Sequence, residues 1–278
     1  AENPGIVDAR GPVGETPLHM CFLFASPLHL GIARWLINKF PQSITARYEG
    51  KDYTGENVLH IAIINRDIES VKELLTISPS VSSSLLEASA TGEFFKTGSQ
   101  CYYGDFPLAF SVCTNQRDIA LLLISHGANI DAIDSNGNSL LHLLVLHELP
   151  DMFSFVKEEW LKKQERDEAA LTAAERMDYK RPKPLWLREN HDGFTPFTLA
   201  AERGSLIMFA FLLEERKQVQ WRYGPVACFL YPLQELDTRL QDANLSDARQ
   251  GGLELIMKNA HTQLLMHPRI LNLISQKW

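Results

Sequence analysis

Cysteine pairs, long apolar runs and an excess of positive charge are all missing from this chain of 278 residues. Its four cysteines show neither a CxxC pair nor metal-ligand spacing, which indicates unpaired thiols in a reducing compartment and no zinc site. The net charge of -7 disfavours nucleic acid as a partner, because phosphate binding needs a basic face. The longest apolar runs, such as 206–213, are far shorter than the roughly 20 residues of a membrane-spanning helix.

Signatures of catalysis are absent as well. The segment Gly92-Glu93-Phe94-Phe95-Lys96-Thr97 lacks the glycine that precedes the lysine of a phosphate loop, and no apolar strand leads into it. His147-Glu148 lacks the second histidine of a zinc protease helix, and no Gly-x-Ser-x-Gly turn occurs. Cys113 lies near Asn115 in the sequence, but nothing local would lower its pKa, so we expect a core thiol. The sequence therefore predicts no enzyme.

What the chain does contain is a short pattern that recurs. It reads Gly14-Glu15-Thr16-Pro17-Leu18-His19 at first, and degenerate copies follow at 55–60, 137–142 and 193–198. The glycine allows the positive φ of a tight turn, the threonine caps a helix, and the proline suits the first helical position. The pattern matches the T-P-L-H turn of the ankyrin repeat. We expect the histidines of these copies to bond backbone groups rather than a metal or a substrate.

The spacing of the glycines predicts the organisation of the chain. Repeats are expected to start near Gly14, Gly55, Gly104, Gly137, Gly193 and Gly224, and only one of the intervals has the usual 33-residue period. The longer intervals predict long fingers in the turns, the second of them over 78–103. In the third unit, 127–132 has the helix stop and outward loop of an ankyrin repeat. The predicted fold class is therefore all-α, an ankyrin-repeat solenoid of helix-turn-helix units.

The insert over 161–190 differs from the other fingers. Its first part, 162–178, suits an exposed helix, whereas 179–186 is basic, aromatic and interrupted by prolines. A protein partner could dock on Lys180, Arg181, Lys183 and Trp186. The simpler interpretation is a solvated finger whose Trp186 packs back on the next repeat.

Several strings outside the ankyrin consensus resemble one family. Gly92 to Lys96, Tyr102 to Leu108, Cys113 to Gln116, Asp134 to His142, Trp221 to Val226 and the terminal Lys277-Trp278 occur in this order. They are similar to the amino-terminal ankyrin domain of the vanilloid subfamily of TRP cation channels. The first repeat and the shortened fourth finger look closer to invertebrate subunits of the Nanchung and Inactive type.

The resemblance implies about six repeats within 1–258, the last of them degenerate. The sixth unit would occupy 221–258 with its outer helix at 253–257, and 259–278 would begin a linker toward membrane helices. The resemblance also implies a site for a nucleotide triphosphate or calmodulin on inner helices and finger bases. The matching positions here are Lys51, Arg66, Tyr102, Tyr103, Asn115, Gln116 and Arg117.

Departures from the family weaken the nucleotide hypothesis. The basic residue that precedes the second-repeat glycine in the family is Thr54 here, with Lys51 nearby, and the second finger keeps Lys96 but few other cations. Because a triphosphate needs several cations or helix-end amides, we expect weak or no ATP binding and no other cofactor. Capping and surface solvation explain Arg66 and Asn115 equally well.

Two functions remain open. The first is a regulatory and assembly domain at the cytoplasmic face of the plasma membrane, within a tetrameric calcium-permeable channel whose other subunits are its partners. The alternative is a free-standing ankyrin scaffold that binds proteins. The chain begins with Ala1-Glu2-Asn3-Pro4, without an initiator Met or a signal segment, so we expect a piece of a longer protein. We expect this piece to be monomeric on its own, because the large subunit contacts of such a channel are made by parts that are mostly absent here.

Overall fold

The computed structural model describes Gly5, residues 7–237 and residues 250–277. The chain divides into two compact units, Ala1–Ser135 and Asn136–Trp278. Residues 1–4, Ile6, the middle of the expected sixth repeat at 238–249 and the terminal Trp278 lie outside the described residues.

The first unit is helical. Its helices are α1 (Pro17–Phe24), α2 (Pro27–Lys39), α3 (Val58–Ile64), α4 (Ile68–Thr76), α5 (Pro79–Leu86), α6 (Pro107–Cys113) and α7 (Arg117–Ser125). Short 3-10 turns occur at Pro41–Thr45 and Glu93–Phe95. The helices α1, α3 and α6 pack side by side as inner helices, and α2, α4 and α7 each pack on the inner helix that precedes them.

The second unit repeats this order and then departs from it. It contains α8 (Leu140–Leu146), α9 (Pro150–Ala170), α10 (Ala173–Asp178), α11 (Pro196–Arg203), α12 (Leu206–Glu215), β1 (Gln218–Tyr223), β2 (Val226–Leu230), α13 (Gly252–Lys258), α14 (Thr262–Leu265) and α15 (Pro268–Lys277). A 3-10 turn lies at Leu185–Leu187. The strands form an antiparallel hairpin with a register irregularity between Val219 and Trp221.

Glycines of the recurring pattern lie at the turns that precede the inner helices. An inner helix begins three residues after each of Gly14, Gly55, Gly104, Gly137 and Gly193, and all five have a positive φ. At Gly55 a Cβ would lie 1.9 Å from the carbonyl oxygen of Ser89, so the turn needs a residue without a side chain. The helix–turn–helix organisation predicted from the glycine spacing is present for these five positions.

The recurring histidines join successive turns. Nδ1 of His60 accepts the backbone N–H of Asn57 at 3.2 Å, and its Nε2–H donates to the carbonyl oxygen of Asp105 at 3.2 Å. His142 makes the same pair of contacts with Ser139 and with the Phe194 carbonyl. The structural role expected for these two histidines is confirmed.

Each inner helix ends in the same way. One or two residues after the helix ends, the backbone adopts a left-handed conformation with a positive φ. The residues in this conformation are Ala25, Arg66, Asn115, Glu148, Gly204 and Ala260. After five of them the next N–H bonds a carbonyl five residues back, for example Gln116 to Ser111 at 2.9 Å. This is the Schellman arrangement that satisfies the last carbonyls of a helix.

The sixth repeat differs from the expectation. Gly224 lies in the turn of the β-hairpin and not before a helix. The helix α13 packs on α11, as an inner helix does, and Ala260 ends it in the repeated way, with the N–H of His261 bonded to Ile256 at 3.0 Å. The expected outer helix at 253–257 is therefore an inner helix, and α14 takes the outer position against α12.

The second finger also begins later than expected. Ser78 caps α5, and α5 packs on α4, on the 3-10 turn Pro41–Thr45 and on α6. The first part of the expected finger is thus a helix added to the second repeat. Apart from the hairpin, regular structure in the described residues is helical, in agreement with the predicted all-α repeat fold.

Candidate functional site

Arg66 and Asn115 occupy the same position in successive repeats. Each is the left-handed residue after an inner helix, with φ of 58° and 57° respectively. The guanidinium of Arg66 donates to the carbonyl oxygen of Thr114 at 2.8 Å, so its side chain reaches the end of the next inner helix. The exposed Asn115 follows Thr114 directly.

Gln116 follows Asn115 in the chain and is buried. Its side-chain amide nitrogen donates to the Ile63 carbonyl and to the Thr114 hydroxyl, both at 2.7 Å. Arg117 is exposed at the first position of α7. The structure thus brings Arg66, Asn115 and Gln116 together, and two of them hold neighbouring repeats in place.

The two tyrosines of the second finger belong mainly to packing. Tyr102 is buried, and its hydroxyl donates to the carboxylate of Asp134. The ring of Tyr103 lies edge-on to Phe110, with 5.4 Å between ring centroids. Phe110 also contacts Phe95 and His60, and the sequence reasoning assigned no role to this buried aromatic residue. Its signal in the sequence is an aromatic residue on the predicted inner helix.

Lys51 lies beside Glu93 of the second finger. Its side chain is 82% exposed, and its Nζ lies 4.0 Å from a Glu93 carboxylate oxygen, which also accepts a hydrogen bond from Lys96 at 2.6 Å. The ammonium of Lys96 holds the pKa of Glu93 below its usual range. One carboxylate therefore offsets part of the charge of the two lysines on which a triphosphate site would depend.

The basic stretch of the insert is largely paired within the chain. Arg181 makes a two-pronged ion pair with Glu168, with one contact at 2.7 Å, and Lys183 lies 3.6 Å from Glu189. Lys180 is exposed. Trp186 packs edge-on against Trp160 of α9, with 5.6 Å between ring centroids. The tryptophan thus lies against the helix that leads into the insert.

Two surfaces were not predicted from the sequence. The hairpin exposes apolar side chains, among them Trp221, Tyr223 and Val226. A cavity of about 870 Å³ lies in the first unit beside α5. The signal for the hairpin was present, because two β-rich stretches flank Tyr223-Gly224-Pro225-Val226.

Chemistry that would indicate catalysis is not found in the described part of the chain. No group of three or more His, Cys, Asp or Glu side chains there is placed to hold a metal ion. Cys113 is buried, and its burial raises the pKa of the thiol, so the reactive thiolate is disfavoured. No helix of the described residues is long and apolar enough to cross a membrane.

Comparison with known proteins identifies the repeat and its relatives. The Ankyrin repeat family matches residues 103–135, which form the third repeat. Transient receptor potential cation channel subfamily V member 6 of Homo sapiens is 36% identical over 278 residues, which cover 98% of this chain and 33% of the relative. The chain is an ankyrin-repeat domain homologous to subfamily V channels.

Two further relatives extend this result. Subfamily V member 5 of Rattus norvegicus is 34% identical over 274 residues, covering 97% of this chain and 34% of the relative. Subfamily V member 1 of Oryctolagus cuniculus is 32% identical over 273 residues, covering 91% of this chain and 30% of the relative. The chain thus spans about a third of the length of the curated relatives it matches.

Proposed function

We propose that this chain is a cytoplasmic regulatory and assembly domain of a tetrameric, calcium-permeable subfamily V cation channel, and that it catalyses no reaction. The observation that carries the proposal is similarity to channel subunits over 98% of the chain. Other subunits of the tetramer, identical or different, are its proposed partners, and the cytoplasmic face of the plasma membrane is its proposed location. The first repeat and the fourth finger favour an invertebrate subunit of the Nanchung or Inactive type.

The β-hairpin supports a role in assembly. Trp221 and Tyr223 are 51% and 84% exposed, and β1 pairs only with β2 among the described strands. A two-stranded ribbon is marginally stable in water and gains from a further strand or an apolar partner. A neighbouring subunit would supply that partner.

Sequencing of the transcript beyond the codon for Trp278 tests the channel proposal directly. About six further apolar segments of roughly 20 residues are expected. A stop codon or a second soluble domain after Trp278 would contradict the channel and favour the alternative, a free-standing ankyrin scaffold that binds proteins.

Cross-linking of the full-length protein in membranes tests the hairpin. Trp221→Ser should reduce the yield of cross-linked tetramer, because it removes apolar area from the proposed contact. The matched control is Trp35→Ser on α2, whose side chain is 56% exposed and lies in the other unit. Equal tetramer yields from the two variants would exclude the hairpin as an assembly contact.

We propose further that ATP binds weakly or not at all. The Arg66 guanidinium is already bonded to a carbonyl oxygen, and Lys51 and Lys96 share Glu93, so the charge left for three phosphates is small. Calorimetry should show no heat of binding at micromolar ATP. A micromolar dissociation constant that is lost in Lys51→Ala and Arg66→Ala would overturn this proposal.

Calmodulin binding is a prediction for the stretch around Lys180, Arg181, Lys183 and Trp186. A helical calmodulin target presents apolar anchors on one face. Here the prolines, the 3-10 turn Leu185–Leu187 and the contact between Trp186 and Trp160 oppose that form. A calmodulin pull-down with and without calcium decides whether the segment rearranges to bind.

A further inference from the structure

A cavity of about 870 Å³ lies in the first unit, outside the residues discussed as a nucleotide site. Its walls come from the end of α4, from α5, from the beginning of α6 and from the loop that follows α7. Its volume falls within the range of small-molecule sites in proteins.

The cavity exists because the second repeat carries an additional helix. After α7 the chain turns at once through Gly127, with φ of 93°, into the outward loop of the repeat. After α4 it instead forms α5, which packs on α4 and α6. The space between α5 and the loop after α7 is what this insertion leaves open.

Most of the cavity wall is apolar. Leu75, Leu86, Phe106 and Leu108 line it, and the side chain of Ile133 at its margin is 51% exposed. Such a wall favours the burial of an apolar body, because apolar surface on both sides is removed from water.

One buried hydroxyl in the cavity wall lacks a hydrogen-bond partner. Ser82 on α5 lines the cavity and is only 5% exposed, and its hydroxyl has no hydrogen-bond partner among the described residues. Buried hydroxyls are almost always hydrogen-bonded, because an unbonded one loses its bond to water without replacement. A ligand with a hydrogen-bonding group would replace that bond.

The charge of the lining has one sign. Glu87 and Asp131 line the cavity together with His126, whereas no lysine or arginine does. The Glu87 carboxylate accepts a hydrogen bond from the Ser83 hydroxyl at 2.8 Å, and no ion pair of the described residues includes it. Phosphates and carboxylates are therefore disfavoured, and an ammonium group is favoured.

We propose that this cavity binds a small cationic amphiphile. Its apolar body lies against Leu86, Phe106 and Ile133, its ammonium group lies near Glu87 and Asp131, and a hydrogen-bonding group reaches Ser82. The site does not depend on the channel proposal, since it is formed entirely within residues 75–133.

Fluorescence titration of the 278-residue chain with two dansyl probes tests the ligand class. Dansylcadaverine carries an ammonium group, and dansyl-6-aminohexanoate carries a carboxylate on a similar apolar body. The cation should bind with a micromolar dissociation constant and the anion about tenfold more weakly or not at all. Absence of binding by the cation, or equal affinity for both probes, would overturn the proposal.

Variants locate the site. The double variant Glu87→Gln, Asp131→Asn should weaken dansylcadaverine binding about fivefold or more, because the ammonium loses both partners. Its matched control is Glu69→Gln, Asp118→Asn, which removes the same net charge from exposed positions of α4 and α7 outside the cavity wall. Equal losses in both double variants would place the probe elsewhere and contradict the site.

Two single variants probe the wall and the hydroxyl. Ile133→Arg should abolish dansylcadaverine binding through charge repulsion at the cavity margin, with little change in the thermal midpoint because the side chain is exposed. Ser82→Ala should leave the thermal midpoint unchanged or higher and weaken binding. Undiminished affinity in either variant, in a folded protein by circular dichroism, would refute the proposed contacts.

Discussion

At the scale of single residues, the recurring histidine acts as a neutral structural group. The Nε2–H of His60 bonds a carbonyl of the next turn, and Nδ1 accepts an N–H of its own turn, which leaves no room for a second proton. Burial lowers the pKa of His60 to about 3 and that of His19 to about 4. The charged form is therefore excluded from the fold at physiological pH.

Replacing His60 should therefore be costly. His60→Gln leaves the buried Asn57 N–H or the Asp105 carbonyl without its partner, and we expect a loss of about 2–4 kcal/mol in the free energy of unfolding at pH 7.5. Urea denaturation followed by circular dichroism measures it. A loss below about 1 kcal/mol would contradict the structural role of the ring.

The same variant should change the acid stability. Since the unfolded pKa of histidine is about 6.5, the unfolded state takes up protons first, and stability falls as pH drops from 6.5 toward 3. His60→Gln should flatten this fall. His29→Gln is the control, because the half-buried His29 contacts its own cap at Ser26 and makes no hydrogen bond to the next turn in the described structure.

Glu56 should impose the opposite pH dependence. Its burial raises the pKa of the carboxyl to about 8, so the folded protein keeps a proton that the unfolded chain loses near pH 4.5. Stability from this group is present below pH 4.5 and is lost as pH rises toward 8. Glu56→Gln should therefore gain stability relative to wild type between pH 5 and pH 8, by about 2 kcal/mol or more at pH 8.

Urea titrations at the two pH values measure this gain. The control is Glu69→Gln, which removes a carboxylate from an exposed position of α4. A constant offset between Glu56→Gln and wild type at both pH values would show that the carboxyl titrates normally.

At the scale of elements, the ends of the inner helices give a structural reason for two of the residues that were matched to a ligand site. Arg66 and Asn115 were matched to a ligand site, yet each adopts the left-handed conformation that ends an inner helix. Sequence marks this conformation clearly at Gly204, but not at Arg66 or Glu148, where non-glycine residues adopt it at a cost of about 1 kcal/mol.

Replacing glycine by alanine should change the free energy of unfolding in opposite directions in a helix and in a turn. Gly31 lies within α2, and a Cβ added there would meet no atom of another element within 4 Å. Gly31→Ala should therefore raise the free energy of unfolding by about 0.5–1 kcal/mol, because alanine has the higher helix propensity. Gly55 has φ of 87° and lies against the backbone of Ser89, so Gly55→Ala should lower it by about 2–4 kcal/mol.

Thermal and urea denaturation of both variants measure the two signs. If Gly31→Ala destabilised the chain, α2 would not be an exposed helix at this position. A neutral Gly55→Ala would show that the turn at Gly55 does not lie tightly against the backbone of Ser89.

At the scale of the molecule, the local pattern predicted the repeats, and long-range packing decided the rest. Turn glycines, capping residues and buried histidines act within a few residues, so their sequence pattern predicted the first five inner helices. The hairpin and α13 depend on packing between distant segments, and Gly224 looks like a repeat glycine although it turns a β-hairpin. The cavity beside α5 depends on three separate segments and had no sequence pattern at all.

The isolated chain should be a monomer. A stable interface buries about 800 Å² on each partner, and the exposed hairpin, with strands of six and five residues, is too small to supply this area on its own. In the proposed channel, segments beyond this chain would contribute the remaining contacts and hold the hairpins at high effective concentration. Light scattering after size exclusion should therefore give the mass of one chain, 31.5 kDa, at micromolar concentration and at tenfold higher concentration. A stable particle of four chains would show instead that this domain assembles by itself, and Trp221→Ser would then reveal whether the hairpin is the contact.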